Sequence, residues 1–253
     1  MNFENKQILI TGASTGIGRE LAIMLANFNC TIYLTARRYE LLEELKESLS
    51  NAQAKIEIYK NDASDKAEVD ELCNKLITTG LDIAILNAAV SLDFDHRNYE
   101  IKKVQETFDV NFFGVVNFIN ALLPYFRERS AGVFVPVSSL AGERGYALNP
   151  HYCASKAALT TYCEGLKPHL AKNNIKLLVV KPGYVKTPMT AKNKHSMPLM
   201  ISAQKAAKII LRGIDRNTPV IQFPFLTAIS TYIVKFLPRF IFDIINRNLV
   251  KDK

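Results

Sequence analysis

Gly12, Gly16 and Gly18 crowd into the stretch Thr11-Gly12-Ala13-Ser14-Thr15-Gly16-Ile17-Gly18, between an apolar β-branched run, Gln7 to Ile10, and an amphipathic run, Ile17 to Phe28. No other feature limits the fold as strongly. Glycines allow left-handed φ values and a close approach to the backbone, and a helix that begins in such a turn aims unpaired N–H groups outward. The same strand-then-helix alternation continues along the chain. Short β-branched runs at Thr31 to Thr35, Lys55 to Lys60, Ile83 to Leu86, Val133 to Val137, Lys176 to Val180 and Val220 to Phe223 predict six more strands. Between them, helices are predicted at Tyr39 to Leu49, Lys66 to Thr78, Ile101 to Arg127, Tyr152 to Lys172 and Ala203 to Asp215. Seven strands joined by helical crossovers imply an α/β fold, a Rossmann-type doubly wound parallel sheet with helices on both faces, which binds ligands at the carboxyl ends of its strands.

The chain has 253 residues, within the range of one large α/β unit. Residues 1–224 are read as one α/β domain and 225–253 as a C-terminal helical extension of the same domain. With 48% hydrophobic residues, disordered and collagen-like classes are excluded. Cys30, Cys73, Cys153 and Cys163 form no CxxC pair and no zinc spacing, so no metal and a reduced, cytoplasmic protein are expected. MNFENK is charged and short, and no signal peptide is expected there. The net charge of +8 leaves nucleic acid, a membrane surface or a phosphorylated ligand as acidic partners.

The glycine turn favours the phosphorylated ligand. Backbone N–H groups around Gly12, Ser14, Thr15, Gly16, Ile17 and Gly18, with the positive end of the following helix, suit the pyrophosphate of a dinucleotide. The end of the second strand reads Thr35-Ala36-Arg37-Arg38, where an acidic residue would hold an unphosphorylated ribose. Ala36 cannot accept hydroxyl protons, whereas Arg37 and Arg38 can bind a 2′-phosphate, so NADP(H) is expected over NAD. The alternative is a pair of solvated arginines opening a surface helix.

A second constellation lies further on. Pro150 opens a helix in which Tyr152 and Lys156 stand at i and i+4 on one face. A phenol is a poor acid–base group at neutral pH, and a nearby ammonium draws its pKa down. Ser139, thirteen residues before Tyr152 and just beyond the fifth strand, can bring a hydroxyl to the same place.

TGASTGIG, TARR, Asn61-Asp62, Asn87-Ala88-Ala89, VNFFG, VSSLAG, YCASK and PGYVKT, in this order, make the chain resemble the compact branch of the short-chain dehydrogenase/reductases over nearly its whole length. The resemblance implies a catalytic tetrad of Asn111, Ser139, Tyr152 and Lys156, acting on a carbonyl and a secondary alcohol. Tyr152 is then the acid or base, Lys156 lowers its pKa and holds the cofactor's ribose, Ser139 polarises the carbonyl, and Asn111 anchors a water. By the same resemblance Asp62 meets the adenine, Asn87 lines the ribose, and Pro182, Gly183, Val185 and Thr187 border the carboxamide end of the cofactor. It also implies a homodimer or homotetramer paired through the two longest helices. Ala89 departs from the glycine usual there, at little cost if its φ is negative.

The resemblance makes residues 1–224 the catalytic domain and the stretch near 188–200 its substrate lid; that stretch carries Met189, Lys192, Lys194, His195 and Met197, and slightly favours an apolar, lipid- or steroid-like substrate. His151 is expected to be a partly exposed loop residue; His96, His169 and His195 show no partner pattern. Asn217 to Val234 lacks charges, but Pro219 and Pro224 argue against a membrane span. Beyond it, Phe225 to Val250 reads as an amphipathic helix kinked or divided at Pro238, with Lys235, Arg239, Asp243 and Arg247 on one face. Such a helix suits peripheral membrane contact, a second subunit or its own domain. The charge therefore needs no nucleic acid. A catalytically silent nucleotide-binding regulator or membrane-attached scaffold is the alternative function, and the intact tetrad argues against it.

Overall fold

The computed structural model describes residues 2–95, 97–193 and 196–251, the side chains of 249–251 excepted. His96, Lys194 and His195 lie outside the described residues. A six-stranded parallel sheet is built from β1 (Gln7–Thr11), β2 (Thr31–Ala36), β3 (Lys55–Lys60), β4 (Ile83–Leu86), β5 (Gly132–Pro136) and β6 (Ile175–Leu177). Its order is β3-β2-β1-β4-β5-β6, so the winding reverses between β1 and β4.

The strands are apolar on both faces because helices cover both. Ile8, Ile10, Ile32, Leu34, Ile83 and Ile85 point to one face. There they meet α1 (Gly16–Leu25), α2 (Tyr39–Ser48) and α7 (Ala203–Asp215) through Leu21, Leu25, Leu42, Leu45 and Ile210. The intervening Leu9, Tyr33, Ala84 and Leu86 point the other way. That face carries α3 (Lys66–Ile77), α5 (Gly114–Glu128) and α6 (Pro150–Ala171) through Val69, Leu72, Phe118, Leu122 and Leu159.

Two elements differ from the sequence expectation. The strand expected over Lys176 to Val180 is interrupted at Leu178, whose N–H still donates to Phe134 O at 2.9 Å. The chain resumes as β7 (Val179–Pro182), which pairs in parallel with β10 (Val220–Phe223) and is bridged at Val180 to Val137, the residue just beyond β5. The sheet therefore has six strands, with β7 and β10 as a separate pair rather than a continuous seventh position. The long helix expected over Ile101 to Arg127 is α4 (Ile101–Phe108) and α5, separated by a π-helical turn at Asp109–Phe113.

After β7 the chain makes β8 (Val185–Lys186), which pairs with β9 (Ile201–Ser202) and closes the 188–200 segment at its base. The C-terminal segment is divided at Pro238, as expected, into α8 (Phe225–Phe236) and α9 (Arg239–Lys251). None of the described helices is long and apolar enough to cross a membrane.

Candidate active site

The carboxyl ends of β1, β2, β4 and β5 bring the sequence-predicted residues to one rim. At β1, Gly12 and Gly16 adopt φ of +65° and +60°. A β-carbon on Gly18 would stand 2.5 Å from Gly12 O and 2.7 Å from Asn87 Nδ2, so only glycine lets the turn fold this tightly. Asn87, at the end of β4, clamps it: its Nδ2 donates to Thr11 O at 3.0 Å and Gly12 O at 3.2 Å. Thr11 Oγ1 in return accepts from the backbone N–H groups of Asn87 and Ala88, both at 3.0 Å. Thr11 is a site-shaping residue that the sequence reading passed over, although its place beside the first glycine was the available signal.

Thr15 is the N-cap of α1 but makes no side-chain capping bond. Its hydroxyl instead accepts from Arg38 Nη2 at 3.1 Å, and Ser14 Oγ accepts from the same nitrogen at 3.2 Å. The first turn of α1 is thus left for an anion. Arg37 extends from the end of β2, half exposed, with Nη1 3.8 Å from Asp62 Oδ2. Asp62 Oδ1 accepts from the N–H and hydroxyl of Ser64. Beside it Asn61 is buried, and neither its amide oxygen nor its nitrogen has a partner. A glycine cradle, an uncapped helix start, two arginines and an orphaned buried amide are what a phosphorylated dinucleotide would satisfy.

Across the rim, α6 begins with Asn149 as N-cap and Pro150 in its first turn. Asn149 Oδ1 accepts from Tyr152 N–H at 3.2 Å, which sets Tyr152 at the positive end of the helix. Lys156 Nζ lies 5.8 Å from the Tyr152 ring centroid and donates to Val137 O at 2.9 Å. Ser139 lies near enough to the Tyr152 phenol to lower its pKa. Its Oγ donates to Pro182 O at 3.3 Å and accepts from Ala141 N–H at 3.1 Å. Burial pushes the Tyr152 phenol up to about 12, against the lowering effect of Ser139, and pushes the Lys156 ammonium down to about 7. Ser138 donates to Lys156 O at 2.9 Å and so steadies the helix from behind.

Asn111 sits in the π-helical turn, fully buried. Its Oδ1 accepts from Val90 N–H at 2.8 Å, while Nδ2 donates to Val90 O at 3.0 Å and Ser155 Oγ at 3.1 Å. Both amide protons are therefore committed, and the side chain ties the segment following β4 to α6. Ser155, one turn along from Tyr152, completes that tie by donating to Tyr152 O at 2.8 Å; nothing in its local sequence pointed to it.

Of the segment after β7, Val185 is buried and Thr187 reaches the glycine turn: a β-carbon on Gly16 would stand 3.1 Å from Thr187 Cγ2. Gly183 is packed under α8, where a β-carbon would stand 3.0 Å from Thr227 Cγ2. His151 corrects its expectation. It is buried in the first turn of α6, with Nε2 3.1 Å from Leu92 O, because Phe94 and the segment following β4 fold over it. Burial holds its pKa below the usual histidine range.

A polar cluster unseen in the sequence adjoins the rim. Glu143, in the short 3-10 turn Leu140–Glu143 after Ser139, pairs with Lys181 of β7 and, at 2.8 Å, with Lys235 of α8. Burial raises the Glu143 carboxyl, but the hydrogen bonds and charges of Lys181 and Lys235 outweigh it and hold the pKa below 4.5.

Comparison with known proteins agrees with this architecture. A profile of the short chain dehydrogenase family matches residues 6–198. An uncharacterised oxidoreductase of Myxococcus xanthus is 33% identical over 95% of this chain and 96% of its own length. The ketoacyl reductase HetN of Nostoc is 30% identical over 84% of this chain and 76% of its own. Among solved structures, a short-chain dehydrogenase from Streptomyces avermitilis superposes with a TM-score of 0.77 at 25% identity, covering 90% of this chain and 91% of that one. One from Sphingobium yanoikuyae in complex with NADPH gives 0.81 at 21%, covering 92% and 97%. With matching family sequence, strand order and rim, the chain belongs to the short-chain dehydrogenase/reductase family of oxidoreductases.

Proposed function

We propose that this protein is an NADP(H)-dependent oxidoreductase that interconverts a carbonyl and a secondary alcohol on an apolar, lipid- or steroid-like substrate. The observation that carries this reading is the meeting of Ser139, Tyr152 and Lys156 at the same sheet rim as the glycine cradle. Gly12, Ser14, Thr15, Gly16, Ile17 and Gly18 would hold the pyrophosphate. Arg37 and Arg38 would hold the 2′-phosphate, with Asp62 and Asn87 towards the adenosine half. Pro182, Gly183, Val185 and Thr187 would border the nicotinamide, which supplies or accepts the hydride when bound.

The protein's own part is proton transfer and charge stabilisation. Tyr152 donates its phenolic proton to the carbonyl oxygen during reduction and takes it back during oxidation. Burial favours the neutral phenol, the form from which reduction starts. Ser139 donates a hydrogen bond to the same oxygen as negative charge develops there. Lys156 stabilises the phenolate left behind and would hold the nicotinamide ribose, while Asn111 keeps α6 and the segment following β4 in place around them. HetN, a relative named as a ketoacyl reductase, supports carbonyl chemistry. The NADPH complex of a structural neighbour supports the cofactor, although another neighbour was solved with NAD.

The test is NADPH consumption against a panel of ketones and aldehydes. Tyr152→Phe should lower kcat by at least about a hundredfold while leaving NADPH affinity intact. Arg37→Ala should raise the KM for NADPH far more than that for NADH. Equal effects on both cofactors would refute the 2′-phosphate assignment; no turnover in either direction would favour a silent nucleotide binder. The reading also carries a cytoplasmic homodimer or homotetramer through α5 and α6, checked by light scattering.

A further inference from the structure

Helix α8 is built inside out. Its most buried residue is the polar Thr231, while Phe225, Ile229, Ile233 and Phe236 form an outward stripe that continues onto α9 as Phe240 and Ile244. These six are 44–75% exposed, and no other part of the described chain covers them. Amphipathic helices of water-soluble domains turn such a stripe inward, and a contiguous apolar surface of this kind marks an interaction site.

The inner sides of both helices are fixed by polar clamps. Arg144 donates to the carbonyls of Lys235 and Leu237, at 3.2 and 3.1 Å, and its guanidinium lies 4.2 Å from the Phe242 ring centroid. Asn246 accepts from Ala147 N–H and donates to Gly145 O. The apolar stripe is thus held outward on a rigid mount. It is not a helix waiting to fold back.

Charge selects the occupant. From residue 225 onward the sequence carries Lys235, Arg239, Arg247, Lys251 and Lys253 against Asp243 and Asp252, a net charge of +3. Lys235 is spent on Glu143, whereas Arg239 and Arg247 are exposed beside the apolar stripe. In a twofold dimer the face would meet itself, positive against positive. An anionic lipid surface complements both features, with apolar side chains among the acyl chains and arginines at the phosphates.

We propose that α8 and α9 form a membrane-docking surface that seats this protein in the headgroup region of an anionic bilayer without crossing it. Because α8 packs on Gly183 and on the turn Leu140–Glu143 that follows Ser139, docking would set the site rim against the lipid. Resting on the function proposed above, this narrows the substrate to carbonyl or alcohol compounds that partition into membranes.

The chain contains no tryptophan, so Ile233→Trp is a single reporter. Its emission should shift to the blue on adding vesicles of phosphatidylcholine with 30% phosphatidylglycerol (about 1 mM lipid), and be quenched by brominated acyl chains. Lys75→Trp, on the exposed side of α3, should do neither. Ile233→Asp with Phe240→Asp should lower vesicle binding by about tenfold or more and leave turnover of a water-soluble carbonyl unchanged. Arg239→Gln and Arg247→Gln should each weaken binding about fivefold.

The proposal fails if Ile233→Trp ignores both anionic and pure phosphatidylcholine vesicles. It also fails if the double aspartate variant instead abolishes a concentration-dependent self-association, which would make a second copy the occupant. Binding is read without cofactor or turnover, so a negative result here is separable from failure of the oxidoreductase reading.

Discussion

Replacing Glu143 with glutamine would break a buried ion pair while keeping its shape. Lys181 and Glu143 have side chains only 7% and 9% exposed, so the variant strands an ammonium with no counter-charge. Removing one partner of such a pair costs about 3–5 kcal/mol, a large part of a domain's total of about 5–15 kcal/mol. The second partner, Lys235, is 45% exposed, and Lys235→Met should cost no more than about 1 kcal/mol. Glu143→Gln combined with Lys181→Met removes both charges and should recover most of the loss. Equilibrium denaturation in urea at pH 7, with slopes compared across the four proteins, measures each difference.

The pH dependence gives an independent check. Glu143 has a folded pKa below the ordinary 4.5, so its contribution is complete above that value and fades as pH falls through the lowered folded pKa. The gap between wild type and Glu143→Gln should therefore close in acid. A penalty below about 1 kcal/mol for Glu143→Gln, or a double variant no more stable than the single one, would refute the account.

Three further outcomes follow from the rim. Gly18→Ala forces a methyl to 2.5 Å from Gly12 O, so NADPH affinity should fall by about tenfold or more in calorimetric titration. Lys156→Met should abolish turnover yet stabilise the ligand-free protein by at least about 1 kcal/mol at pH 7. The lysine's folded pKa, about 7, lies below its unfolded 10.5, so the folded state carries the full cost of the buried ammonium below pH 7. Wild-type stability should then climb between pH 7 and 10.5 with a slope that the methionine variant lacks. Asn111→Ala orphans Val90 N–H and Val90 O, takes from Ser155 Oγ the donor it accepts from, and should cost at least about 2 kcal/mol by thermal denaturation.

What was legible in the sequence was what local chemistry determines. β3, β4, β10 and α7 occupy the residues that their apolar periodicity marks, because each packs apolar side chains against the core. Tyr152 and Lys156 could be paired from spacing alone, since four residues is one helical turn. The break at Leu178 and the two-residue strands β8 and β9 had no such signature, being set by neighbouring strands. Lys235 was grouped with Arg239 and Arg247 on an outer face, but the carboxylate that turns it inward lies in a distant turn. His151 looked like a loop residue because the segment that buries it comes from the other side of the site.

The π-helical turn at Asp109–Phe113 constrains the number of residues the chain can carry between α4 and α5. A π turn is an α turn with one residue inserted, and that residue rotates everything after it by about 100° about the helix axis. Deleting one residue there would restore a regular helix and preserve its length almost unchanged. It would also swing Asn111 out of reach of Val90 and Ser155, or else turn the buried Phe118 and Leu122 away from the sheet. At this point the number of residues is itself fixed by the packing, and single-residue deletions between 109 and 113 should be far less tolerated than substitutions at the exposed Phe113.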